Sequence, residues 1–523
     1  MKKRKTAALL AAVVALSLFS CACSKSVNQT EKELDIDLSS YPIETDVTLT
    51  YFFPLRAALG GIVENYGETP YAQELEKRTG VKIEYMHSAI GQEAEKLSLL
   101  IASDELPDML YTNWMNYQGG VESAFDDGVI VDIGEYREYA PAFFGKLNED
   151  SSLDKAAKTD KGRYYGFTLI QGAQRLRNTT GPVVRADWIE ELGLSYPETI
   201  DEWETLLTAF KEKKGAVAPF SAVDRGQMYS MFGIPNGLFI DGDEYKFGRA
   251  IPEVKKAVER MNDWFNKGLL DVNIASVDAK ALDTQVLTGM TGAMIASGGD
   301  IERYMNAAKE DGFKLTGVRF PSYEKGDVND CMSVSLPISG TAAAISGQCK
   351  YPELAAKVLD YTFTPEGEIF ANYGTEGISF EMVDGVPTYT DLIMNNPDGL
   401  SIKETLGLHA YAGGAGIFEV QEGYINQYYS LPQQQSALDA WQVGFEESEK
   451  RRSLPVTLTT DEAQEAADIL AEVRSYANSM ISKFVVGIEP IDKFDEYLEE
   501  VNDLGLQRAL DIYTTALKRY NAR

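Results

Sequence analysis

The chain has 523 residues, 44% of them hydrophobic and 25% charged, enough for two or three soluble domains around a large core. Its formal net charge of −31 excludes non-specific association with nucleic acid or anionic lipid and argues against anionic polymers as non-specific ligands. Its four cysteines and two histidines fall in no Cys-x-x-Cys or His-Glu-x-x-His spacing, so the common zinc motifs are absent.

Lys2, Lys3, Arg4 and Lys5 form a basic head, and Ala7 to Phe19 is an apolar run broken only by Ser17. The head, the short run and the small residues before Cys21 and Cys23 describe an export signal over 1–23. The run is shorter than the roughly 20 residues of a membrane span, and no longer one follows it. Losing the four cations of the head with the signal would take the net charge from −31 to −35. A cysteine at the cut resembles the bacterial lipobox, in which the thiol receives a diacylglycerol. Leu18-Phe19-Ser20-Cys21 fits best, with Ser20-Cys21-Ala22-Cys23 as the alternative. The expectation is a protein outside the cytoplasm, lipid-anchored at Cys21 or Cys23; the plainer alternative is an ordinary signal peptide.

Residues 24–45 are polar and lack a periodic apolar face, and read as a flexible tether. Val47 to Phe53 is a strand, Pro70 to Arg78 a helix, Val81 to Met86 a second strand, Gln92 to Ser103 a second helix and Asp108 to Tyr111 a third strand. Strands alternating with helices imply a parallel sheet covered on its faces, with ligands at the carboxyl ends of the strands. That rule points to Asn113 and Trp114, with Tyr117 nearby. Thr199-Ile200-Asp201-Glu202 is a capping box ahead of Trp203, and Thr364-Pro365-Glu366 is a second helix start. The two strand-like runs flanked by Cys331 and Cys349 would bring these thiols together only if they pair as a hairpin. From Asp461 onward the chain is helical almost throughout, with Ala467, Leu470, Val473, Ala477 and Ile481 on one face. Gly413, Gly414 and Gly416 match no dinucleotide fingerprint and read as a loop, and Asp241-Gly242-Asp243 reads as a turn.

Several segments resemble the extracellular solute-binding proteins of ABC importers. Ala102-Ser103-Asp104-Glu105-Leu106-Pro107-Asp108 is similar to their ASGDLPD segment. Gly162 to Phe167 is similar to their hinge strand, and Val184 to Leu194 with Pro197 to Trp203 to their RKDWLDKLGLxxPxTxDEW stretch. Trp264 to Asp271 resembles their LYxxGLIDP segment, and Gln348 to Glu353, Pro365-Glu366-Gly367 and Tyr373 to Gly377 resemble the longer lipoprotein members related to LplA, a group linked to oligosaccharide uptake. Thr168 and Phe380 depart from the family pattern.

The resemblance implies an α/β, two-lobed periplasmic-binding-protein-like fold of type II, each lobe a sheet flanked by helices, with a helical C-terminal region. It puts crossings near Phe167–Ile170, near Gly317–Phe320 and after about Gly385, so lobe 1 comprises 46–168 and 321–385 and lobe 2 comprises 169–320 and 386–523. The expected function is capture of an oligosaccharide or related sugar and its delivery to permease subunits. No cofactor, no metal, no nucleic acid and no catalytic residue are expected, and the chain is read as a monomer. A sugar cleft wants flat aromatics and planar polar groups. The candidate ligand residues are Trp114, Asn113, Tyr117, Gln171, Arg175, Tyr229, Asp300 and Glu376, and Arg177 lies close by. Trp188, Trp203 and Trp264 are read as core. A secreted glycoside hydrolase or lyase, or a surface adhesin or sensor, remains as an alternative.

Overall fold

Strand Thr48–Phe52 buries Leu49 and Tyr51 on one face and Phe52 on the other, the pattern of a strand covered on both sides. It pairs in parallel with Lys82–Met86 and with Met109–Asn113. Thr341–Ile345 then runs antiparallel between Met109–Asn113 and Phe167–Thr168, which completes a five-stranded sheet. Its Ala342, Ala343 and Ala344 have no exposed surface, so small side chains let the covering elements approach closely. Helix Pro70–Thr79 starts on the Thr69 side chain, which accepts from the Ala72 N–H, and stops at Gly80 with φ of 77°. The Asp108 carboxylate accepts from both the N–H (2.8 Å) and the hydroxyl (2.7 Å) of Thr50, tying two strand edges together.

The computed structural model describes residues 36–412 and 416–523. The export signal, Cys21, Cys23, Gly413 and Gly414 lie outside the described residues. Residues 38–523 pack as one unit. Part of the expected tether belongs to that unit. Ile43 is buried and donates to the Thr79 carbonyl (2.8 Å), and the Tyr41 hydroxyl donates to the Lys357 carbonyl (2.6 Å). The tether therefore ends before Tyr41, because two apolar anchors there find a surface.

A second sheet has Thr180–Arg185 antiparallel to Leu315–Gly317 and to Ala293–Ser297, with Phe220–Ser221 parallel at the edge. Trp188, Trp203 and Trp264 are core around it, as their helical spacing predicts. Glu202 and Thr199 make the expected capping box at the start of Ile200–Lys214. The helical tail comprises Thr460–Val485, Phe494–Asp503 and Leu506–Asn521. Its inner face carries Ala466, while Ala467 is exposed. Asp241-Gly242-Asp243 belongs to a hairpin of Leu238–Asp241 and Glu244–Phe247.

Three segments join the two sheets side by side. Ile170 donates to the Phe418 carbonyl (2.9 Å) and accepts from the Val420 N–H (2.8 Å), while Gln171 donates to the Pro337 carbonyl (2.9 Å). Ser335 to Pro337 thus run beside the segment that holds Gln171 and Arg177. Val318 still bonds Pro182, and Met332 still bonds the Ser448 side chain, so that stretch belongs with the second sheet. Residues 417–420 run beside Ile170, whereas Tyr411 donates to Ala371 and its carbonyl accepts from Arg56. Cys331 and Cys349 are both free thiols, and the runs beside them do not pair as a hairpin. Cys349 follows the first sheet through Ser346, and Cys331 sits against Asp330 and Arg451. The overall architecture is the expected α/β fold, two sheets flanked by helices with a helical C-terminal region.

Candidate functional site

A cavity of about 990 Å3 opens against the crossing segments, where Leu169, Gln171, Phe418 and Val420 form its floor. This volume stands at the upper end of the roughly 300–1,000 Å3 of small-molecule sites, so the cavity holds more than one sugar-sized ring.

One wall is the start of helix Gly298–Ala307. Ser297 caps it by accepting from the Asp300 N–H (3.2 Å), and Asp300 accepts in return from the Ser297 N–H (3.0 Å) and hydroxyl (2.7 Å). The opposite wall is the turn at Asn395–Asn396 and the start of helix Ile402–His409, capped by Ser401 and Glu404. The third side is helix Glu422–Tyr428 and the residue that ends it, from which Tyr424, Tyr428 and Tyr429 line the cavity. Tyr424 and Tyr428 have ring centroids 5.5 Å apart, and Tyr428 and Tyr429 5.1 Å. Gly298 fits directly under Tyr429; a Cβ there would come within 2.7 Å of the ring, so the wall demands glycine. Gln427 fixes the helix from behind by accepting from the Tyr389 N–H (2.8 Å) and donating to the Pro387 carbonyl (2.9 Å).

Burial, and then the carboxylates of Glu302 and Asp300, push the Tyr428 hydroxyl above its ordinary pKa. Burial, Tyr428 and Asp300 do the same to Tyr429. Both phenols are therefore neutral donors throughout the physiological range. Together with the amides of Gln171, Asn306, Asn395 and Asn396, they offer flat faces and paired hydrogen-bonding groups.

The expected site residues divide sharply. Gln171 and Asp300 line the cavity. Arg175 lies behind it with its guanidinium engaged by Asn426 (2.8 Å), Gln435 (3.0 Å) and Asp439 (2.9 Å). Arg177 holds the hinge, donating to the Ser335 carbonyl and pairing with Glu449. Trp114 is a correction. It has no exposed surface, sits in the core with Leu110, Val121 and Ala124, and spends its indole N–H on the Ala342 carbonyl (3.2 Å). Asn113 caps the turn that follows, accepting from the Met115 N–H (3.0 Å). Tyr117 lines a separate groove of about 510 Å3 against the C-terminal helices and donates to Asp127 (3.0 Å). Tyr229 is buried near the Arg249 guanidinium, away from the cavity walls. Glu376 is exposed in a turn outside the cavity, and Phe380 is core. The tyrosine trio and the asparagine turn escaped sequence reasoning. The available signal was the aromatic repeat in Tyr424-Ile425-Asn426-Gln427-Tyr428-Tyr429, spaced to share a helix face.

The chain is 22% identical to the fructooligosaccharide ABC transporter substrate-binding protein FusA of Streptococcus pneumoniae serotype 4, over 99% of this chain and 98% of that one. It is 24% identical to lipoprotein LipO of Bacillus subtilis strain 168, over 65% and 69% of the two chains. Among solved structures, the S. pneumoniae FusA complex with kestose superposes with a TM-score of 0.72 at 21% identity, over 91% of this chain and all (100%) of the other. The alginate-binding protein AlgQ2 without calcium ion gives the same TM-score of 0.72 at 21% identity, over 91% of this chain and 99% of the other. Both likenesses show the two-domain fold. The profile of the bacterial extracellular solute-binding proteins matches residues 62–369, more than half of the chain, and the chain belongs to that family as a binding protein rather than an enzyme.

Proposed function

We propose that this chain is the lipid-anchored substrate-binding component of an ABC importer, capturing an oligosaccharide between two lobes and handing it to the permease as a monomer. The observation that carries this reading is the cavity on the crossing segments, walled by three tyrosines and a set of side-chain amides. Aromatic faces stack on sugar rings, and amides take paired hydroxyls. The lobes are read as 41–168 with 338–416, and 169–337 with 417–523, so the cavity lies where the lobes meet. Closure about the three crossings would bury the ligand. Delivery to a permease and an anchor at Cys21 or Cys23 rest on the names of FusA and LipO and on the lipobox pattern. Among the described residues no helix is long and apolar enough to cross a membrane. The two solved relatives are named for a charged glycan and a neutral one, so kinship leaves the ligand's charge open.

A ligand that binds only the folded state raises its melting temperature. A thermal-shift screen of the exported chain against sugars and peptides should give a rise with one family of oligosaccharides and no product after long incubation. Hydrolysed or modified sugar, or a shift with peptides alone, would overturn the reading.

A further inference from the structure

We infer that the cavity selects neutral oligosaccharides and rejects those bearing uronate carboxylates, an inference that rests on the sugar-binding reading above. A carboxylate is recognised by a free guanidinium or ammonium, or by open N–H groups at a helix start. Along the wall formed by helix Gly298–Ala307 both devices are already used by the chain itself.

Arg303 is the cation of the helix wall. Its Nη1 pairs with Asp283 (2.9 Å), its Nη2 with Asp300 (3.1 Å), and its plane covers the Tyr304 ring at 4.2 Å. Burial pulls this guanidinium down, but Asp283, Tyr304 and Asp300 outweigh it and hold it above its ordinary range. The start of helix Gly298–Ala307 would otherwise greet an anion, but the Asp300 carboxylate fills it. Glu302 stands two residues on, half-buried, with its Oε2 3.4 Å from the Gln434 amide. Burial first, and then these two acids, raise the Tyr428 hydroxyl above its ordinary pKa. The other cation on the lining, Lys403, lies between Ser401 and Glu404 in the first turn of the far wall's helix, exposed to solvent and, among the described residues, in no ion pair. A sugar carboxylate would thus face two acids in a partly desolvated cleft, where like charges repel more strongly than in water. Hydroxyls meet no such penalty.

The test is titration calorimetry at low salt. The exported chain is titrated with matched trisaccharides, neutral and uronate, and then with the best neutral ligand oxidised at one C6 and its methyl ester. The free acid should bind at least tenfold more weakly than its ester, and added salt should narrow the gap. In a Glu302→Gln variant of native circular dichroism the gap should shrink severalfold. Equal or tighter binding of the acid, or a gap unchanged in Glu302→Gln, would overturn the inference and leave sugar binding standing. Absence of binding by any sugar would remove both.

Discussion

Tyr428 and Trp114 have similar chemistry and opposite fates. Tyr428 is half-exposed on the cavity wall between two other rings, whereas Trp114 is sealed under Ala342. Truncating a stacking ring forfeits roughly 0.5–1.5 kcal/mol of aromatic interaction beyond its area, so Tyr428→Ala should weaken sugar binding about tenfold with little change in melting temperature. Trp114→Ala should do the reverse. A large core side chain replaced by Ala costs about 3–5 kcal/mol, seen as a lower denaturant midpoint, while sugar affinity of the folded fraction stays close to that of the parent chain. A fall in affinity without loss of stability would return Trp114 to the site. Sequence could not separate the two residues, because a strand end is both where ligands gather and where a core tryptophan closes a sheet. Asp300 was legible as a cavity residue, but its main partner is its own helix start.

At the scale of elements, local signals carried far. Thr199 and Thr364 cap helices where their sequence neighbours predict. The joining of elements was less legible, and Asp360 illustrates it. It ends helix Pro352–Asp360, and its carboxylate accepts from the N–H groups of Phe143 (2.7 Å) and Ala142 (3.2 Å) at the start of Pro141–Glu149. Burial raises its pKa to about 6, against the pull of those two bonds and Lys357. The folded state therefore binds a proton that the unfolded state releases near the ordinary value of 3.8. Stability from this group is fully present below that value and is lost as pH rises through about 6. Asp360→Asn removes the dependence. The stability of the native chain relative to the variant should fall by about 2.4 kcal/mol between pH 4 and pH 7.5, measured by urea unfolding. A difference that stays constant with pH would contradict the assignment.

Across the whole molecule, the C-terminal helices return to the loop that leads into strand Phe167–Thr168. Asp160 accepts from Arg519 (2.7 Å) and from the almost fully buried Arg523 (2.9 Å). Removing Asp160 leaves the buried Arg523 guanidinium without a carboxylate, while Arg519 keeps Glu462, so Asp160→Asn should cost about 3 kcal/mol, read as a drop in the urea midpoint. An unchanged midpoint would show that solvent satisfies the arginines. Long-range pairings of this kind decide which segment packs beside which sheet. Short-range order, by contrast, is written in the chain: alternation made the strands, caps and periodicity made the helices, and the succession of motifs from Ala102 to Gly377 identified the family. These signals act within a turn or a strand, where the physics is local propensity and one buried face. The cavity was decided only in three dimensions. Its walls come from residues near 171, 300, 396 and 428, and whether a ring there meets a ligand or a core depends on packing among segments hundreds of residues apart.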